Sequence, residues 1–218
     1  MTENYMSTNQ AIKFHLTNHH PAEGIHIYSG FVAALGDARA ATGRDEFGRK
    51  VDHTKFGCWL GAIGYMALLD QIGSCFKPKQ KPYESGTSIH KALRYFTNLT
   101  NGEIEALYAL RCSFAHDFSL HNINENRASR THRFRVGVGS SKRIVVLPSV
   151  RWDGNYESKN LEDFTTINLE GFGDLVENIC QQLCILVDND ELDVVLPGGS
   201  NELLHRYSIY TLTEDSLT

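Results

Sequence analysis

Apolar residues recur at spacings of three and four in several blocks of the chain, the period of a helix that buries one face. The first block is 21–41, where Ile25, Tyr28, Phe31, Val32 and Leu35 predict an amphipathic helix after a polar start. Residues 42–55 are charged, hold two glycines and read as a loop. Residues 56–76 are apolar almost all round, with Trp59, Leu60, Ile63, Met66, Ala67 and Leu69, as expected for a helix in the middle of a bundle. The KPKQKP run at 77–82 breaks it. Ile89, Leu93 and Phe96 predict a short helix over 88–98. A further helix starts at Thr100, because Thr100 and Glu103 have the spacing of a capping box. It continues through Ile104, Leu107, Leu110, Phe114 and Phe118 and ends in the polar stretch 119–126.

From His132 the period falls to two. Phe134, Val136 and Val138 alternate with Arg133 and Arg135, residues 139–142 read as a turn, and 144–147 as a returning strand. This predicts a β-hairpin over about 132–149 with Arg133 and Arg135 exposed on the face opposite Phe134 and Val136. Residues 164–169 predict another short strand. Leu175, Val176, Ile179, Leu183, Leu186 and Val187 form the most regular helical pattern, Pro197, Gly198 and Gly199 close it, and 201–207 add a last turn before a tail expected to be mobile beyond Thr213. The expected fold is mainly α: one domain over 1–218, a helical bundle from about 21–126 and 169–208, and an inserted or appended hairpin.

Composition narrows the class. With 218 residues and 41% apolar side chains a sizeable core is possible, and no residue period signals a solenoid. The longest uncharged stretch, 56–69, is bracketed by Lys55 and Asp70 and is too short for a membrane span. No basic start or apolar run marks a secretion signal, so a soluble cytoplasmic protein without membrane contact is expected. Five cysteines without a C-x-x-C pair give neither a disulfide framework nor a zinc signature, and Cys180 and Cys184 read as packing residues. The His19–His20 pair reads as a solvated turn. No metal or other cofactor is expected, and the Walker, G-x-S-x-G and H-E-x-x-H templates are absent from the sequence.

The net charge of -5 hides an asymmetry: 127–151 hold seven basic residues and no acidic one, whereas 152–218 hold two basic and fourteen acidic. The island comprises Arg127, Arg130, Arg133, Arg135, Lys142, Arg143 and Arg151. It would attract phosphates by counterion release, or else pair internally with the acidic third. Arg133, Arg135 and Arg143 are the candidate RNA-contacting residues.

The chemistry-bearing segment is LYALRCSFAHDF, in which Arg111 stands four after Leu107 and three before Phe114, on the apolar stripe. A guanidinium there needs a partner, a subunit interface or a cleft. His116 follows five residues later, about 140° around an ideal helix, so the two do not share one face; the long Arg stem and a helix that loosens near Ser119 would let them border one groove. Arginine, four residues and histidine on a late helix after an apolar, aromatic run resembles the HEPN superfamily of small helical bundles. The resemblance implies a metal-independent endoribonuclease acting as a homodimer, with motifs facing across one cleft. His116 would be the acid or base at the ribose 2′-hydroxyl or leaving oxygen, and Arg111 would steady the phosphate charge, leaving a 2′,3′-cyclic phosphate. Cys112 stands where the family often has a polar residue, and Phe118 where some relatives have tyrosine. A second match, Arg127 and His132, lacks apolar periodicity and reads as incidental. Cys112 beside His116 is also a possible nucleophile, though without an orienting third group it reads as a packing thiol. The alternative function is a non-catalytic interaction or scaffold module that keeps Arg111 and His116 as a buried, hydrogen-bonded pair.

Overall fold

A computed structural model describes residues 6–19, 27–52, 59–137 and 143–210. The predicted start of the first helix, His20, Cys58, the hairpin turn at 139–142 and the tail beyond Thr213 fall partly or wholly outside these residues.

Seven α-helices dominate the described residues: α1 (Thr8–Thr17), α2 (Gly30–Ala41), α3 (Trp59–Cys75), α4 (Ser88–Phe96), α5 (Asn101–Asp117), α6 (Leu169–Asp188) and α7 (Gly199–Tyr207). Eight short strands join them: β1 (Ile27–Ser29), β2 (Phe76–Pro78), β3 (His121–Asn122), β4 (His132–Gly137), β5 (Val145–Val146), β6 (Phe164–Asn168), β7 (Leu192–Val194) and β8 (Ser208–Tyr210). The mainly helical expectation holds at this coarse level. One continuous core draws residues from every helix, among them Ile12, Phe31, Leu69, Leu93, Leu110, Ile179 and Leu203.

Local chemistry explains the boundaries. Ser7 and Gln10 form a reciprocal capping box that starts α1, a helix absent from the sequence expectation because its apolar positions make no clear stripe. Ser29 caps α2 by accepting the Val32 N–H at 3.2 Å while donating to the His15 carbonyl, so the helix begins at Gly30 rather than near residue 21. In α3 the small residues set the packing distances. A Cβ on Gly73 would lie 1.8 Å from the Ser88 carbonyl oxygen, and one on Gly61 would lie 2.4 Å from Thr42 Cγ2. These contacts let α4 and the end of α2 lie directly on the α3 backbone.

The predicted hairpin over 132–149 is not what forms. The four-stranded sheet runs β3-β4-β6-β5, so β6 separates the two expected hairpin arms, parallel to β4 and antiparallel to β5. Thr165 and Ile167 of β6 are fully buried, and a strand so enclosed has to satisfy its backbone on both edges. Period-two alternation identifies strands but carries no information about partners. Two further ribbons, β1 with β8 and β2 with β7, tie distant parts of the chain together.

A buried ion pair crosses the helical layers. Glu177 of α6, 4% exposed, accepts Arg39 Nε and Nη2 of α2 at 2.9 and 2.6 Å and the Tyr65 hydroxyl of α3 at 2.8 Å. Burial raises the Tyr65 pKa well above its usual value and keeps the phenol as the donor. Replacing Glu177 by Ala is expected to cost about 3 to 5 kcal/mol, since Arg39 Nε and Nη2 and the Tyr65 hydroxyl then lose the carboxylate that accepts them. A urea titration checks this against Arg39→Ala.

His15 lies enclosed by the rings of Phe31, Phe76 and Tyr207, and burial lowers its pKa to about 3. Below pH 6.5 the unfolded chain takes up a proton that the folded chain refuses until about pH 3. His15 therefore withdraws about 1.4 kcal/mol of stability per pH unit as pH falls through that window, and contributes no slope above it. Stability measured at pH 7, 5.5 and 4.5 should show this component in the parent and lose it in His15→Asn.

Candidate functional site

Helix α5 carries the sequence motif. Its start is fixed by the expected capping box: Thr100 Oγ1 accepts the Glu103 N–H at 3.3 Å, and Glu103 Oε2 accepts the Thr100 N–H at 2.7 Å. Its end is fixed by Phe118 in the left-handed region at φ 54°, with its N–H bonded to the Ser113 carbonyl. Between them Leu107, Leu110 and Phe114 are fully buried and hold the helix in the core.

Arg111 lies at the edge of that stripe, its side chain 36% exposed, and its Nε donates to Asp70 Oδ2 of α3 at 2.8 Å. Burial alone would lower its basicity, and the Asp70 carboxylate outweighs this and holds the guanidinium above its ordinary pKa. The pair borders a cavity of about 230 Å³ whose remaining lining is Ile63, Met66, Ala67 and Ala115. The stripe arginine thus has both a partner and a cleft.

His116 follows Ala115 onto the exposed side of the last helical turn and makes no hydrogen bond or ion pair with the described residues. A buried Arg111–His116 pair, as the scaffold alternative requires, is therefore not formed. Trp59 stacks on Phe114 with ring centroids 4.9 Å apart and on Phe118 at 6.4 Å, building an aromatic wall at this end of α5. Phe118 is 46% exposed and Leu60, next to Trp59, 68%, so apolar side chains stand at the surface there beside the exposed His116 and Asp117. Cys112 neighbours Tyr108, one turn back along α5, and burial raises the pKa of that tyrosine.

The arginines proposed for RNA do not join this cleft. Arg133 is only partly exposed, against expectation: Nη1 donates to the Ser158 carbonyl at 3.0 Å and faces Asp163 Oδ1 at 3.8 Å, and the guanidinium lies 3.9 Å over the Phe164 ring. Arg135 is exposed and stacks on the same ring at 4.6 Å. Both stand on the face of β4 opposite the buried Phe134, whereas Arg111 takes its partner from α3. Arg143 is exposed just before β5. His132, of the second motif copy, is locked between Thr165 Oγ1 at 2.8 Å and the Ser129 carbonyl at 2.9 Å, a packing role joining β4 to β6.

Sequence reasoning missed a second polar group on α5. Glu105 accepts Arg130 Nε at 2.6 Å, and its other oxygen lies 3.5 Å from Nε2 of His90 on α4. The Arg130 guanidinium lies 4.2 Å over the Tyr108 ring, and the His90 ring packs on the same tyrosine at 4.7 Å. Burial would raise the Glu105 pKa, yet Arg130 draws it below its ordinary value; burial lowers that of His90. The available signal was Glu105 and Tyr108 at i, i+3 spacing, which places both on one side of α5. Among the described residues no group of three or more His, Cys, Asp or Glu side chains could hold a metal ion, and no helix is long and apolar enough to cross a membrane. Cys180 is buried, which pushes its thiol pKa up and suits a packing role.

Comparison of the chain with protein-family models, with curated proteins and with solved structures finds no match.

Proposed function

We propose that the chain is a HEPN-like, metal-independent endoribonuclease or RNA-binding protein that works as a cytoplasmic homodimer. The observation that carries this reading is the pose of Arg111: tethered by one nitrogen to Asp70 at the mouth of a small cavity, with the imidazole of His116 in solvent on the next residue but four. Asp70 takes Nε only, so the terminal nitrogens of the fork are left for a phosphate oxygen, the geometry that arginine serves best. His116, in the last turn of α5, is placed to exchange a proton with a ligand lying along that edge. In the reaction it would take the 2′-hydroxyl proton as that oxygen attacks phosphorus, or protonate the departing 5′-oxygen. Arg111 would offset the charge gathering on the non-bridging oxygens. The exposed Leu60 and Phe118 beside the motif supply an apolar surface that a second copy would cover, bringing two motifs together.

A non-catalytic interaction module remains the second reading, favoured by the same exposed aromatic end of α5. It would keep the dimer and lack the reaction.

Arg111→Ala and His116→Ala, each alone, are expected to abolish RNA cleavage in EDTA. Melting temperatures should move by only a few degrees, because a partly exposed ion pair contributes about 1 kcal/mol or less. The product should carry a cyclic phosphate, and DNA should be untouched. Cleavage that survives loss of His116 refutes the mechanism, and a parent protein that dimerises without cleaving RNA selects the module.

Arg135→Ser is expected to weaken RNA binding and flatten its salt dependence with stability unchanged. Arg133→Ser should in addition destabilise the fold by about 1 to 3 kcal/mol, since Asp163 then loses the cation facing it. Filter binding at several salt concentrations, with urea titrations alongside, separates the two effects.

A further inference from the structure

A second cavity, of about 590 Å³, opens between the start of α4, the side of α5 and the loop that runs to the 3-10 turn Ala128–Arg130. We infer that it is a binding site for a phosphomonoester, held by Arg94, Arg127 and Arg130 with His90 at its floor.

The lining sets the sign of the ligand. Three arginines and one carboxylate, Glu105, face the space, and Asn124 and Asn126 add neutral polar groups. Two of the arginines are pre-positioned. Arg130 is fixed through Nε by Glu105 and by the Tyr108 ring, while Arg94 donates to the Ser85 carbonyl at 2.9 Å and lies 3.6 Å from Glu84. Arg127 is exposed, its backbone N–H held by Asn124 Oδ1 at 2.9 Å, and its guanidinium makes no ion pair with the described residues. A cluster of fork-shaped cations around a cavity suits a doubly charged oxyanion far better than a cation or a neutral ligand.

Two features of α4 point the same way. Thr87 occupies the N-cap position but makes no side-chain cap, because its hydroxyl is 2.6 Å from His90 Nδ1. The first turn, which lines the cavity at Gly86, Thr87 and His90, therefore keeps its backbone donors without a side-chain acceptor. His90 itself is 2% exposed, and its Nε2 makes no hydrogen bond; the nearest acceptor, Glu105 Oε1, stands off at 3.5 Å. Glu105 Oε1 faces Nε2, and a carboxylate oxygen there favours the tautomer with the ring proton on Nε2 and the Thr87 O–H donating to Nδ1; Nε2–H is then a buried donor short of a partner. A phosphate oxygen in the cavity would supply one. The volume also exceeds what inorganic phosphate fills, leaving room for the organic part of a monoester.

The probes are ribose 5-phosphate and a 5′-phosphorylated tetraribonucleotide, each compared with its dephosphorylated form by calorimetry on the intact protein. The phosphorylated form should bind at least about tenfold more tightly, and Arg127→Ala, at an exposed position, should remove about tenfold in affinity with the melting temperature unchanged. The His90 imidazole nitrogen resonances should move on addition of the phosphorylated probe alone. Equal binding of both phosphorylated probes identifies a small phosphorylated metabolite as the source, and binding of the oligonucleotide alone identifies an RNA end. Arg111→Ala should leave this binding intact, so loss of the ribonuclease reading would not touch it. No gain from the phosphate group, or an affinity indifferent to Arg127→Ala, overturns the site.

Discussion

The carboxylate of Glu177 has to be neutralised inside the protein, and the arrangement of the helices follows from how that is done. One group on α6 draws a guanidinium from α2 and a phenol from α3. A buried charge tolerates few geometries, so these three helices have one mutual register rather than a family of them. Once α3 is so placed, Gly73 seats α4 on it and Asp70 faces α5. The position of the Arg111 cleft is thereby inherited from an ion pair that lies elsewhere in the core.

Charge in this chain is spent close to home. Arg130 and Arg133, two of the seven members of the basic island, are engaged by Glu105 and Asp163 and rest on aromatic rings. An island that looks like a long-range field in sequence is in the fold partly a set of short-range contacts, with Arg127, Arg135, Arg143 and Arg151 left at the surface. Among the described residues Arg127 lies beside α4 and Arg135 on β4, with different neighbours. Tyr108, one turn before Arg111 on α5, belongs to the Glu105 cluster, with Arg130 and His90 packed on its ring.

Much of this could be read beforehand where the governing interactions are local. Thr100 and Glu103 announced the start of α5 to the residue, and the patterns over 88–98, 164–169 and 175–187 matched a helix, a strand and a helix. The demand that Arg111 have a partner or a cleft followed from burial cost alone. That the partner is Asp70 did not, because it depends on how α3 packs on α5. The same limit hid β6 between β4 and β5, and it hid the Glu105–Arg130 pair, whose members are distant in sequence. Glu177 was visible within the apolar run of α6, next to Val176 and before Ile179, yet nothing local named Arg39. Residues 8–17 escaped for another reason: Ala11, Ile12, Phe14, His15 and Leu16 are buried almost all round, which leaves no amphipathic period to detect.

The ribbons β1–β8 and β2–β7 are nested, the outer one joining Ile27 to Tyr210 and the inner one Phe76 to Val194. A chain emerging from the ribosome presents β1 and β2 long before either has an edge to pair with. Until the last strands arrive, α1 and α2 lack the clasp that closes them against α7, and their apolar faces stay open to whatever is nearby. The closing of the two ribbons is a step of high sequence separation, unlike the packing of α2 on α3 and of α3 on α4, which are neighbours along the chain. Nascent chains halted before Leu192 would be the species that a chaperone meets.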